Sequence, residues 1–162
     1  MNELITWLRA RLDEDERTAH KAAALCGCHP EAPSWSFDDK ATDGRIIVDN
    51  DPHPDIKRRL GRRWNGTYEG MFAAVHVARH DPARVLRDVK AKREIVDEHQ
   101  PANPDAVPRE GEPGWPDRPW FYCKTCGSGE ANEYPTTWPC RTLRLLALPY
   151  AGHPAYRAEW RP

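Results

Sequence analysis

The chain has 162 residues, enough for one domain or for one domain with an appended lobe. Its apolar fraction is 39%, its charged fraction 30% and its formal net charge −1, so much of the sequence must be solvated helix face or loop. That balance argues against a general polyanion binder, which needs a basic excess to neutralise phosphates, but it leaves room for a local basic patch. No apolar run approaches the ~20 residues that cross a bilayer. Met1 leads directly into an amphipathic, acidic segment rather than a secretory one, so a cytoplasmic location is expected. Five cysteines in that compartment are expected to be reduced or metal-bound.

Asn2 can cap a helix beginning at Glu3. Leu4, Leu8, Leu12, Ala19 and Ala22 recur at helical spacing and predict its buried stripe. Asp15 interrupts that stripe, and a carboxylate there needs a partner because an unpaired buried charge is costly. The run from Asp13 to Glu16 otherwise reads as an ordinary charged helix face rather than an acidic metal site. Cys26-Gly27-Cys28-His29 and Pro30 form a turn. One residue between cysteines is an unusual zinc spacing, so Cys26 and Cys28 read as free thiols.

Residues 34–49 predict a β-hairpin: Trp35 and Phe37 alternate with polar residues, Asp43-Gly44 turns, and Ile46, Ile47 and Val48 return. A basic cluster follows, Lys57, Arg58, Arg59, Arg62 and Arg63, with Trp64 beside it. It is the one stretch that could meet nucleic acid, although Gly61 and Gly66 weaken it as a recognition helix. A second helix is predicted from about Thr67, with Phe72, Val75 and Arg79 on one side. His76 and His80 share a helical face and, with Asp15, form a low-ranked second metal site. Asp81-Pro82 marks the start of a third helix, which runs to about His99 with Leu86, Val89, Arg93 and Val96 inward. Arg93 interrupts its stripe as Asp15 does the first, which predicts that the two pair.

Prolines and glycines crowd residues 101–119 and predict a connector without regular structure. Then come Cys123-Lys124-Thr125-Cys126-Gly127, the turn of a zinc knuckle, and Cys140 after thirteen further residues. Cys140 opens a short helix, Thr142 to Leu148. Zinc in a closed structural site takes four ligands, so Cys123, Cys126 and Cys140 need one companion. His99 and His153 compete for the place. His99 is preferred because a helix end is rigid and makes the proline-rich connector a closed excursion. Three thiolates and a histidine leave no open position, so the expected zinc is structural.

The segments His76-Val-Ala-Arg-His80-Asp81-Pro82-Ala-Arg-Val-Leu86, Lys92-Arg93-Glu94-Ile95, His99, Thr142 to Tyr150, His153-Pro154 and Tyr156-Arg157, with Leu8 to Glu16 before them, have a joint resemblance. They resemble a domain-of-unknown-function family of small proteins from high-GC Gram-positive bacteria and their phages. The resemblance spans most of the chain except the hairpin and basic cluster. It implies a helix–hairpin–helix–Cys layout, favours His99 as companion of the cysteines, and implies no activity.

The expected fold is therefore α+β and mainly α: three long helices, a small β-hairpin, a C-terminal Cys-rich zinc knuckle and a short helix. Residues 1–99 form the helical core with the hairpin, 100–120 the connector, and 121–162 the knuckle and terminal helix packed on the core. The expected function is that of a zinc-stabilised binding or regulatory protein whose partner is another protein. Seven tryptophans support it, since that residue is enriched at interfaces. Nucleic-acid binding through 57–64 is the first alternative. A metal-dependent nucleotide hydrolase is the second, with Asp13 and Glu16 or Glu94 and Asp97 at chelating spacing. No phosphate loop, nucleophile elbow or dinucleotide fingerprint is present, and no catalytic residue is assigned.

Overall fold

The computed structural model describes residues 3–24, 34–38, 45–48, 68–102, 122–126 and 138–162. The basic cluster at 57–63, the Cys26–Cys28 turn and most of the connector lie outside them. Among the described residues the chain is mainly helical: α1 (Glu3–Ala23), α2 (Tyr68–Arg79), α3 (Pro82–Glu98) and α4 (Arg141–Ala147). Two antiparallel strand pairs accompany them, β1 (Trp35–Asp38) with β2 (Arg45–Val48), and β3 (Pro101–Ala102) with β4 (Tyr122–Cys123). No described helix is long and apolar enough to cross a membrane.

The chain divides into two compact units, one of residues 1–12 and 91–162, the other of residues 13–90. In the second unit, α2 lies against β1 and β2. The ladder sets Phe37 opposite Ile46, and Ile46 is buried. Among the described residues of α2, Ala74 and Ala78 are the buried ones, whereas Phe72 is 62% exposed. Small side chains let a helix backbone approach a strand closely, which a phenylalanine in that row would prevent.

Asp81 is the one buried charged residue among those described. Its Oδ1 accepts the Arg84 backbone N–H at 2.6 Å, capping α3, and its Oδ2 accepts the Trp35 N–H at 3.2 Å. Pro82 occupies the first helical position, where its missing N–H costs nothing. One carboxylate thus ties the start of α3 to the start of β1. Asp81→Ala removes a cap worth ~1 kcal/mol and orphans two backbone donors, so the expected loss is about 2–3 kcal/mol. Denaturant unfolding of Asp81→Ala and Asp81→Asn checks this, with Asn retaining more than half of the stability that Ala loses.

The first unit is built on the opening turns of α1. Leu4, Leu8 and Leu12 are buried as their spacing predicts, and Ile5 joins them. Val96, Leu143, Ala147 and Trp160 complete that core. An exposed ion pair, Arg9 to Asp97 at 2.7 Å, lies at its surface. Asp15 and Arg93, the two charged interruptions of the helical stripes, are both half-buried and fall in different units.

Candidate metal centre

α3 ends at Glu98, and His99 still donates its backbone N–H to Ile95 at 3.1 Å, so its ring is carried by the last helical turn. The chain then extends as β3, with Pro101 facing Cys123 and Ala102 facing Tyr122. This corrects the expectation that regular structure is missing from residue 101 onward. Proline is tolerated as the first residue of a short edge strand, where no ladder donor is needed. The Lys124 N–H bonds the Gln100 carbonyl at 2.9 Å, and the Thr125 hydroxyl donates to the Glu98 carbonyl. Gln100 in turn donates to the Val96 carbonyl at 2.5 Å. These bonds clamp the Cys123–Cys126 turn onto the helix end that presents His99.

Cys140 arrives from the other side. It precedes α4 with extended backbone, φ −67° and ψ 163°. A cis peptide joins Trp138 to Pro139 just before it. Arg144, one helical turn on, donates Nε to the Pro139 carbonyl at 2.9 Å and its backbone N–H to the Cys140 carbonyl at 3.2 Å. Leu143, fully buried, anchors the same turn from below.

The result is a single cluster. His99 Nδ1 lies 3.3 Å from Cys123 Sγ, 3.4 Å from Cys126 Sγ and 3.6 Å from Cys140 Sγ. All four ligand atoms fall within 4.8 Å of one another. Around a tetrahedral zinc with Zn–S ≈ 2.3 Å and Zn–N ≈ 2.0–2.1 Å, nitrogen and sulfur sit about 3.6 Å apart. The donor set therefore fits one tetrahedral ion, and a soft thiolate-rich set of this kind suits zinc.

The electrostatics point the same way. Burial pushes the Cys140 thiol up to about 11; the Leu143 backbone N–H opposes this and the neighbouring Cys123 adds to it. Burial also raises Cys126, reinforced by its hydrogen bond and charge interaction with Cys123. With both raised above the usual thiol range, Cys126 and Cys140 keep their protons at neutral pH when no cation lies between the sulfurs. Metal uptake must then release protons, and affinity must fall as pH falls. The stability that a bound metal would contribute is present at neutral and alkaline pH and lost toward acid. Calorimetric titration in buffers of different ionisation enthalpy is expected to read release of between one and three protons per ion.

His153 lies elsewhere. Its Nδ1 accepts the Ala155 N–H at 3.1 Å, its Nε2 meets Arg11, and its ring stands edge-on to Trp7 at 5.8 Å. His76 and His80 are side by side, ring centroids 4.5 Å apart and both exposed. Among the described residues no third Cys, His, Asp or Glu joins them in a ligand cluster, Asp15 included.

A match to the model of a known family, DUF6221, runs over residues 1–162, the whole chain. The chain belongs to this family of unknown function. The match includes the hairpin and basic-cluster stretches that the resemblance left out. No curated protein and no solved structure matches the chain. For this DUF6221 protein the site must therefore be read from its own atoms.

A second feature of the same unit escaped the sequence reading. Trp7 of α1 gathers Tyr150, Tyr156 and Trp160, at 6.2, 5.7 and 5.0 Å between ring centroids. Arg157 lies over the Trp160 ring at 5.5 Å and pairs with Glu3 at 2.5 Å. Trp7 Nε1 and the Tyr156 hydroxyl are buried with no hydrogen-bond partner, so ring packing rather than polar anchoring holds the cluster. An open cleft of about 700 Å³ runs along it, bordered by Glu3, Trp7, Pro154, Tyr156, Arg157 and Trp160. In sequence Pro154 begins a short terminal turn carrying Tyr156 and Trp160, with nothing there that relates them to Trp7.

Proposed function

We propose that this DUF6221 chain is a small zinc-stabilised binding or regulatory protein that acts by contact with another protein. The observation that carries the reading is the ligand set: one imidazole nitrogen and three sulfurs, all within 4.8 Å of one another. A catalytic zinc keeps a position for water or substrate, and four protein ligands fill the tetrahedron. Zinc here serves as a staple that fixes the end of α3, the β3–β4 pair and the start of α4 around one ion. The ion would be held by His99 Nδ1 and the Sγ atoms of Cys123, Cys126 and Cys140.

The binding part of the reading rests on the aromatic cleft. Trp, Tyr and Arg are the residues enriched at interface hot spots, and the cleft border combines Trp7, Tyr156, Trp160 and Arg157. The hydrolase alternative is weakened at one of its two carboxylate pairs, because Asp97 is already engaged by Arg9.

The test uses a partner captured by the full chain, then purified and re-bound alone. Arg157→Glu breaks an exposed ion pair, which costs the fold little. It is expected to weaken binding at least ~10-fold, the loss of one interface anchor, with unchanged circular dichroism. Equal affinity of the wild-type and Arg157→Glu chains would contradict the placement of the contact, and failure of every captured protein to re-bind in pure form would contradict the binding reading.

A further inference from the structure

The three sulfurs of the cluster are not equivalent. Cys123 is 0% exposed and Cys140 1%, whereas Cys126 is half-buried on a turn whose Lys124 and Thr125 are exposed. Of the three sulfurs, Cys126 alone thus keeps access to solvent, while His99 is half-buried as well. The two-residue spacing from Cys126 places Cys123 on the same turn, and their sulfurs lie within 4.8 Å. The Cys140 sulfur lies within the same distance, but its backbone belongs to a separate segment, just before α4, braced by Arg144 and Leu143.

We propose that the site is a peroxide-responsive metal switch in which Cys126 is the entry sulfur and Cys123 its disulfide partner. This rests on the metal reading above and adds its regulation. Hydrogen peroxide is the oxidant. The Cys126 thiolate attacks one peroxide oxygen; the O–O bond breaks, Cys126 becomes a sulfenic acid, and the departing hydroxide takes a proton to leave as water. The Cys123 thiolate then attacks the Cys126 sulfur; the S–S bond forms, the S–O bond breaks, and the second hydroxide leaves as water after taking a proton. In total two thiolates lose two electrons, and one peroxide with two protons becomes two waters. Only His99 and Cys140 then face the ion, and two ligands do not hold zinc in a protein site of this kind. Reduction of the disulfide restores the ligand set, because the oxidation has gone no further than the reversible rungs.

The consequence is local. The ion is the link between the Cys123–Cys126 turn and the start of α4, so its loss frees the latter from the former and leaves the Lys124 and Thr125 hydrogen bonds to the end of α3 without that brace.

The experiment uses the full chain with Cys26→Ser and Cys28→Ser, so that the remaining thiols are those of the cluster. Metal content is measured first. Peroxide is then added while a chromophoric chelator reports zinc, and alkylated peptides are mapped by mass spectrometry. The expected result is release of zinc in step with a Cys123–Cys126 disulfide, and its return on reduction with added zinc. Zinc retained through a peroxide treatment that fully oxidises a reference cysteine peptide overturns the proposal. A disulfide to Cys140, with Cys123 left reduced, overturns the assigned pairing. A chain that carries no metal before peroxide is added overturns the metal reading itself, and that outcome is distinct because it is read first.

Discussion

Chelation of the metal, or Cys140→Ser, is expected to dismantle the C-terminal half of the first unit. Cys123 and Cys140 are buried, and together with His99 they bring three chain segments to one cluster. Structural zinc sites contribute apparent free energies of about 10–16 kcal/mol, comparable to the whole stability of about 5–15 kcal/mol of a typical domain. A loss of that size does not lower a melting temperature slightly; it removes the folded state of whatever depends on the ion. Hydrogen exchange locates the effect. Amides of 99–102, 122–126 and 140–147 are expected to lose protection, whereas those of α2 and of β1, in the other unit, keep theirs. Unchanged protection at Lys124 and Arg144 after complete metal removal would show that the hydrogen bonds alone hold the site together.

Trp160→Ala carries the second large effect. Its ring is 5% exposed and packs on Trp7 at 5.0 Å and on Tyr156 at 5.9 Å, edge-on at 90°. Truncation of a buried aromatic costs about 3–5 kcal/mol through lost transfer energy and the cavity left behind. The Arg157 guanidinium also loses the ring face beneath it. Leu148→Ala is the matched control: 45% exposed, it is expected to change stability by less than about 0.5 kcal/mol. Urea unfolding at matched zinc concentration separates the two, with the midpoint falling for Trp160→Ala and the slope preserved.

The gathering of His99 with the three cysteines was legible in sequence for a physical reason. A Cys-x-x-Cys turn is a local device, so its geometry is written in four consecutive residues. Cys140 and His99 were readable because each sits at a helix terminus that the sequence marks, Cys140 before Thr142 and His99 after the Val89–Val96 stripe. The aromatic cleft was not legible. Trp7 and Trp160 stand at opposite ends of the chain, and no periodicity relates an α1 residue to a 3₁₀ turn at Ala158–Trp160. The inner face of α2 was not legible either, because Ala74 and Ala78, the residues buried there, carry too little hydrophobic weight to announce it. Asp81 shows the opposite case. The Asp-Pro pair announces a helix start, yet only the fold reveals that its second oxygen holds the Trp35 N–H.

The measurement that tests the account most directly is zinc content with X-ray absorption on the purified full chain, beside His99→Ala and His153→Ala. The account predicts one zinc per chain with three sulfur neighbours near 2.3 Å and one nitrogen near 2.0 Å. It predicts that His99→Ala loses the nitrogen shell or the ion, and that His153→Ala keeps the wild-type spectrum. A nitrogen shell that vanishes with His153 and survives without His99, or a wild-type chain that binds no metal at all, would contradict it.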